Sequence, residues 1–301
     1  MSSGERLARV GEIELCYETF GEDADPPLLL VMGLASQMLL WDDDFCQKLA
    51  DRGLWVIRFD NRDIGRSTIL RDAPTPTRGQ LLRRDPRAAS YSLDDMADDA
   101  AGLLDRLGVG AAHVVGASMG GMIAQLLVIR HPERVQSLVS IMSSTGNRRV
   151  GRTNPRLYPR LLRRRTLDRA RYLRDFLATY KAIGSRRYPP DPERFYALAE
   201  RCFERGLHPE GAARQLAAII AAPDRTPLLA QLRLPTTVIH GDADRLVRPS
   251  GGRATAEAIP NARLVTIPGM GHEMPPALWP RIIDEIVRNV GRAQPAGASI
   301  D

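Results

Sequence analysis

Short apolar runs recur along most of the chain and alternate with segments of helical periodicity. The first run, residues 11–21, alternates apolar and polar positions as a half-buried strand does. A helical pattern at 93–108 places Met96, Leu103 and Leu107 on one face. Strands that alternate with helices predict a mainly parallel sheet covered by helices on both sides. The other apolar runs lie at residues 27–33, 54–60, 113–116, 137–142, 236–241 and 262–269.

The alternation stops between residues 145 and 225, where no strand pattern is present. Apolar positions from Leu167 to Tyr180 recur at helical spacing, and a second helical segment has Pro192 near its start and Gly206 near its end. An insertion that follows a parallel strand lies over the carboxyl end of the sheet, where α/β proteins bind their ligands. The pattern therefore predicts a helical lid over the binding edge.

One uncharged segment, residues 111–129, is long enough to cross a bilayer. However, Gly116, Ser118 and Gly120 interrupt it in a G-x-S-x-G pattern, which predicts a strand, a tight turn and a helix. The glycines allow strand and helix to approach closely, and the serine at the apex of the turn is exposed as a nucleophile. A phosphate-binding glycine turn would instead need a P-loop lysine or a G-x-G-x-x-G spacing, and this segment has neither.

A serine nucleophile requires a base and an acid that orients the base. The candidate base is His272, on a glycine-rich loop after the last apolar run, and the preceding run ends at Asp242 and Asp244. We favour Asp244 because it lies farther round the turn, and we expect Asp242 to accept backbone hydrogen bonds. The G-x-S-x-G turn is called a nucleophile elbow. In hydrolases with this elbow, the serine, the acid and the histidine follow one another in the chain, which is the order of Ser118, Asp244 and His272. The other histidines lie at a strand start, a helix end, in the lid and at a strand tip: His113, His131, His208 and His240.

Such chemistry also needs two backbone N–H groups that stabilise an oxyanion. One should belong to Met119, directly after the nucleophile, and the other to Leu34, which follows Gly33 at the end of an apolar run.

The composition places limits on the class of protein. A hydrophobic content of 44% and a charged content of 26% are typical of a globular domain, and the N-terminal residues lack the apolar core of a signal peptide. Three widely spaced cysteines, Cys16, Cys46 and Cys202, suit a reducing compartment, so the sequence predicts a cytoplasmic protein. Neither a metal-ligand cluster nor a dinucleotide loop is apparent, so no cofactor is expected.

In these motifs the chain resembles the α/β-hydrolase fold superfamily, and within it the bacterial esterase group that includes aclacinomycin methylesterase-like proteins. The resemblance implies a mostly parallel central sheet flanked by helices, with a helical lid between strands 6 and 7. The core would comprise residues 1–144 and 226–301, and the lid residues 145–225. In this family the acid follows the strand's final glycine by three residues, which supports Asp244. The matching segments are LLLVMGL, VIRFDNRDIGRS, HVVGASMGGMIAQ, VIHGDADRLVRPS and IPGMGHEMP.

The implied activity is hydrolysis of a small-molecule carboxylic ester through an acyl-enzyme. Ser118 excludes the haloalkane dehalogenase and epoxide hydrolase branches, which have aspartate at that position. Cofactor-free perhydrolysis, thioester hydrolysis and carbon–carbon bond hydrolysis are alternatives on the same triad. Outside catalysis, the alternative is a binding protein on a hydrolase scaffold that has lost its activity. Relatives often have His-Gly where this chain has Met32-Gly33, but that histidine does not donate to the oxyanion. The segment 60–67, DNRDIGRS, is expected to be a structural loop without a chemical role.

Charge is distributed unevenly. Residues 145–225 contain 18 arginines and 1 lysine against 8 acidic residues, a net charge of +11, whereas the whole chain carries +6. Only two basic residues, Lys48 and Lys181, are lysine, which suggests an arginine-rich proteome, and we expect no nucleic-acid partner. Two interpretations stay open: a solvated helical surface, or a field that attracts anionic esters or an anionic lipid surface. The oligomeric state is left open.

Overall fold

The computed structural model describes residues 2–161 and 166–293. Within them, eight strands form one sheet in the order β1-β2-β4-β3-β5-β6-β7-β8. The strands are β1 (Arg6–Val10), β2 (Ile13–Phe20), β3 (Pro27–Val31), β4 (Trp55–Phe59), β5 (Ala112–Ala117), β6 (Val135–Ile141), β7 (Thr236–Gly241) and β8 (Arg263–Ile267).

The sheet is mainly parallel, as the sequence pattern predicted. β2 pairs antiparallel with both β1 and β4, and every pair from β4 to β8 is parallel. β1 was not predicted from the sequence; it is a short edge strand that is exposed at both of its arginines. Once β1 is counted, the long helical insertion follows β6 and precedes β7.

Helices cover both faces of the sheet, and each face has its own hydrophobic core. The α-helices of the described residues are α1 (Asp43–Ala50), α2 (Arg78–Arg83), α3 (Leu93–Arg106), α4 (Met119–Arg130), α5 (Tyr158–Leu161), α6 (Arg169–Ile183), α7 (Pro192–Glu204), α8 (Pro209–Ala221), α9 (Thr226–Leu229), α10 (Ser250–Ala258) and α11 (Trp279–Gly291). Helices α3 and α4 contribute to one core, and α1 and α11 to the other. Local chemistry sets the start of α3, where Ser92 and Asp95 form a reciprocal capping box.

The helical insertion, residues 145–225, contains α5 to α8. Pro192 is the first residue of α7, as expected, because proline costs nothing where the helical N–H is unpaired. Three of the insertion's arginines, Arg163 to Arg165, lie outside the described residues, as does the end of the predicted core from residue 294. Among the described helices, none combines the length and the apolar character needed to cross a membrane.

Candidate active site

Ser118 lies at the turn between β5 and α4, at the carboxyl edge of the sheet. Its backbone has φ 56° and ψ −117°, a conformation that non-glycine residues rarely adopt and that costs about 1–3 kcal/mol. A Cβ on Gly116 would lie 2.2 Å from the carbonyl oxygen of Gly120, and a Cβ on Gly120 would lie 2.0 Å from that of Val31. Only glycine therefore lets the strand reverse into the helix so tightly.

The turn is also held from the neighbouring strand. The amide of Ser118 donates to the carbonyl of Ile141 at 2.9 Å, and the Ser143 hydroxyl donates to the carbonyl of Ser118 at 2.7 Å. These bonds fix the strained backbone in place, so the direction of the Ser118 side chain is set before any substrate arrives.

His272 lies between Ser118 and Asp244. Its Nε2 is 2.9 Å from Ser118 Oγ, and its Nδ1 is 2.7 Å from Asp244 Oδ2. A carboxylate accepts hydrogen bonds, so Nδ1 carries the proton that is donated to Asp244 and Nε2 is left to accept the proton of the serine. The arrangement can deprotonate the hydroxyl as it attacks a carbonyl carbon.

Three contacts from the helical insertion hold the loop that carries His272. The amide of His272 donates to the carbonyl of Ile183 at 2.8 Å, and that of Gly271 donates to the Ser185 hydroxyl at 2.8 Å. The amide of Ser185 in turn donates to the carboxylate of Glu273 at 2.6 Å. The end of α6 and the residues after it thereby support the loop of the candidate base.

Asp244 is buried and its carboxylate is fully engaged. Oδ1 accepts hydrogen bonds from the amides of Leu246 and Val247 at 2.8 and 2.9 Å, while Oδ2 contacts His272 and is 3.4 Å from His240 Nε2. Burial alone would raise the pKa of Asp244, but the charge and hydrogen bonds of the two histidines outweigh it and lower the pKa to about 2. The acid is therefore ionised at any pH near neutrality.

Asp242 has a different environment. It is exposed, and its Oδ1 accepts a hydrogen bond from the amide of Gly269 at 2.7 Å. A backbone amide is the kind of partner predicted for Asp242, although this amide comes from the next loop and not from the same turn. Of the two aspartates, only Asp244 contacts His272.

The remaining histidines have other partners. His113 Nδ1 is 2.9 Å from the Ser137 hydroxyl, and burial lowers the pKa of this imidazole to about 4, so it is neutral near pH 7. The other three contact Asp98, the carbonyl of Gly65 and the carbonyl of Val247: they are His131, His208 and His240.

The two predicted oxyanion donors belong to residues next to Ser118 and Gly33 in sequence. Gly33 lies against the serine, because a Cβ at this position would be 3.1 Å from Ser118 Cβ. Among the described residues, neither the amide of Leu34 nor that of Met119 has a hydrogen-bond partner. Unpaired backbone donors of this kind can stabilise the negative charge that develops on a carbonyl oxygen.

Sequence reasoning missed how the insertion is attached to the core. The loop 60–67 that it considered purely structural carries two buried carboxylates, and both pair with arginines of the insertion. Arg205 Nη2 is 2.7 Å from Asp60 Oδ2, and Arg214 Nη2 is 2.8 Å from Asp63 Oδ1. These partners are about 150 residues apart in sequence, so no local pattern could have paired them.

Asp60 also contacts the loop that follows β3. Its Oδ1 accepts a hydrogen bond from the amide of Met38 at 2.7 Å. The neighbouring Gln37 donates to the carbonyl of Cys202 at 2.8 Å and accepts from Arg205 at 2.6 Å. The loop that follows Leu34 is therefore held jointly by loop 60–67 and the insertion.

A mainly parallel, helix-covered sheet with a serine, a histidine and an aspartate joined at its carboxyl edge is the arrangement of an α/β hydrolase. The model of the α/β-hydrolase fold family matches residues 26–275, and this chain belongs to that family. The fold predicted from the sequence is confirmed.

Several known proteins are similar to this chain over most of its length. A rhodomycin D methylesterase from Streptomyces sp. (strain C5) is 31% identical, over 91% of this chain and 93% of its own. A relative from Mycobacterium tuberculosis (strain ATCC 25618 / H37Rv), whose name refers to non-heme bromoperoxidase activity, is 26% identical over 86% of this chain and 91% of its own. The crystallised thermophilic esterase from Thermogutta terrifontis, with malate bound, superposes with a TM-score of 0.72 at 25% identity, covering 97% of this chain and 100% of that one.

Proposed function

We propose that this protein hydrolyses carboxylic esters through an acyl-enzyme intermediate, with Ser118 as nucleophile, His272 as general base and Asp244 as the acid that orients it. The observation that carries the proposal is the continuous hydrogen-bonded chain from Ser118 Oγ through the imidazole of His272 to the carboxylate of Asp244. The methylesterase relative supports an ester as the substrate.

The first half of the reaction acylates the serine. Ser118 Oγ attacks the ester carbonyl carbon while its proton passes to His272 Nε2, and the carbonyl oxygen becomes an oxyanion that accepts hydrogen bonds from the amides of Leu34 and Met119. The intermediate then expels the alcohol, which takes the proton from His272. Asp244, ionised because its pKa is lowered to about 2, stabilises the imidazolium throughout.

The second half releases the acid. A water molecule gives its proton to His272 Nε2 and attacks the acyl carbon, and a second oxyanion forms in the same position. Its collapse breaks the bond to Ser118 Oγ, which recovers its proton from His272. One water is consumed, and one carboxylic acid and one alcohol are released.

The helical insertion, residues 145–225, forms the lid of this site, over a core of residues 1–144 and 226–301. Contacts at both sides of the serine support this division: the end of α6 and Ser185 after it contact the loop of His272, and the end of α7 and Gly206 after it contact the loop after Leu34. The acyl and alcohol parts of the substrate would lie between these loops and the inserted helices.

The decisive experiment replaces the nucleophile. Because the triad acts as a unit, Ser118→Ala should lower kcat for p-nitrophenyl esters by about 10⁶ while the fold persists. Ser90→Ala, which changes an exposed serine, is the matched control and should leave kcat unchanged. A fluorophosphonate probe should label the wild type at Ser118 and fail to label S118A. A folded S118A protein with activity within tenfold of wild type would refute the assignment.

A second candidate activity, cofactor-free perhydrolysis, is favoured by the relative named for bromoperoxidase activity. Here hydrogen peroxide replaces water in the attack on the acyl-enzyme and gives a peracid, which oxidises bromide. Peroxide-dependent bromination in acetate buffer, lost in S118A, would support this activity. Ester hydrolysis without bromination would support the esterase activity and contradict perhydrolysis.

A further inference from the structure

The side chain of Gln215, on α8, reaches from the insertion into the loop that carries Leu34. It is completely buried. Its Oε1 accepts a hydrogen bond from the amide of Ala35 at 2.8 Å, and its Nε2 donates to the carbonyl of Arg62 at 2.8 Å. Both ends of the amide are used, so the orientation of the side chain is fixed.

Ala35 needs this support because of its backbone conformation. Its φ is +56°, in the left-handed region that residues other than glycine seldom occupy. Local bonds hold the turn weakly: the Ser36 amide donates to the carbonyl of Gly33 at 3.3 Å, and the Ser36 hydroxyl donates to that of Leu34 at 3.1 Å. Among the described residues, the bond from Gln215 is the one hydrogen bond that ties residues 33–36 to a distant part of the chain.

The helix that carries Gln215 is itself firmly seated. Arg214 forms a two-pronged ion pair with Asp63, with both distances at 2.8 Å and both side chains buried. The backbone is equally close, since a Cβ on Gly211 would lie 2.1 Å from the carbonyl oxygen of Asp63. A rigid support of this kind is what a precisely aimed donor requires.

We propose that Gln215 is a positioning residue: by holding the amide of Ala35 in the left-handed turn, it directs the preceding amide, that of Leu34, at the oxyanion. The inference rests on the proposed function, because it concerns the same oxyanion hole. It adds that the insertion completes the catalytic geometry of the core as well as covering it.

Gln215→Met tests the proposal, because methionine fills a similar volume and accepts no comparable hydrogen bond. We expect kcat to fall about 10- to 100-fold, less than the 10²–10³ that follows outright removal of an oxyanion donor, with KM changed by less than about threefold. Affinity for an alkyl boronic acid, which forms a tetrahedral adduct on Ser118 with an oxygen in the oxyanion hole, should fall by a similar factor. Gln215→Glu keeps an acceptor for Ala35 but loses the donor to the carbonyl of Arg62, so its kcat should lie above that of Q215M and below that of the wild type.

The matched control is Gln125→Met, which changes another fully buried glutamine, bonded to Arg225 and not to the oxyanion loop. It should lose stability without losing kcat per active site. Sites are counted from the end point of fluorophosphonate labelling, so unfolded protein does not enter kcat. If Q215M does not fold, Gln215→Asn repeats the test, because its shorter side chain withdraws the oxygen from Ala35.

Two results would overturn the proposal: an unchanged kcat per labelled site in the folded variant, or a lower kcat with unchanged boronate affinity. Failure of the proposed function is a separate result. It would appear as a wild-type protein that neither hydrolyses esters nor is labelled at Ser118.

Discussion

The core and the helical insertion contribute to the candidate site in different ways. The core carries two of the proposed catalytic residues near the carboxyl ends of its strands, Ser118 after β5 and Asp244 after β7. The insertion supports two loops from above: α6 and the residues after it hold the loop of His272, and α8 holds that of Leu34. The two regions also differ in charge, since residues 145–225 carry +11 in a chain of +6.

The ion pairs of the insertion differ in how deeply they are buried. Arg205 lies between α7 and α8, and Arg214 lies on α8. Both pair with buried aspartates of the core. Arg194 and Arg201 of α7 pair with Asp42 and Asp43 at the surface, and the pair between Arg169 and Glu200 is also exposed. We infer that α8 belongs mechanically to the core, whereas α7 is attached to it through more exposed ion pairs.

The largest expected effect within this comparison concerns the two aspartates after β7. Asp244→Asn should lower kcat by about 10⁴, because in a comparable triad the amide fails to hold the correct tautomer of the histidine. Asp242→Asn, an exposed change with the same chemistry, should lower it by less than about tenfold. Steady-state kinetics on one ester measures both variants. The opposite ranking would make Asp242 the acid and separate the chemistry from the observed contacts of His272.

A second comparison tests whether α8 is part of the core. Arg214→Met leaves Asp63 charged and buried without its partner, so it should lower the free energy of unfolding by about 3–5 kcal/mol. Arg169→Met removes an exposed pair within the insertion and should cost less than about 1 kcal/mol. Urea denaturation of both variants gives the difference. Equal losses would mean that burial does not distinguish the two halves of the insertion.

The smallest effect concerns the basic charge of the insertion. If its field attracts anionic esters, kcat/KM for an anionic ester should fall as ionic strength rises, since exposed charges are screened over about 10 Å in 0.1 M salt. A neutral ester of matched size should be nearly unaffected, because the triad is buried. The same salt dependence for both substrates would show that the arginines form only a solvated surface.

The elbow could be predicted from the sequence because its causes are local. Gly116 and Gly120 flank Ser118 within five residues, and the strand and helix on either side follow from short apolar patterns. The alternation of strands and helices likewise predicted the parallel sheet. It missed β1 because an edge strand with exposed arginines lacks the apolar signal.

The candidate base and acid were predicted less directly than the serine. His272 was chosen by elimination among five histidines, and Asp244 over Asp242 by its position in the turn and by family resemblance. The contacts that distinguish the two aspartates, from His272 and from the amides of Leu246 and Val247, depend on how two loops meet in space.

Features that a few neighbouring residues produce could be predicted from the sequence: the strands, the glycine turn and the position of the serine at its apex. The way in which the insertion supports the site depends instead on contacts between distant parts of the chain. Ala35 and Gln215 are 180 residues apart, and Asp63 and Arg214 are 151 apart. Such bonds form when packed elements bring complementary groups together. The periods of 2 and 3.6 residues that identify strands and helices therefore do not predict them.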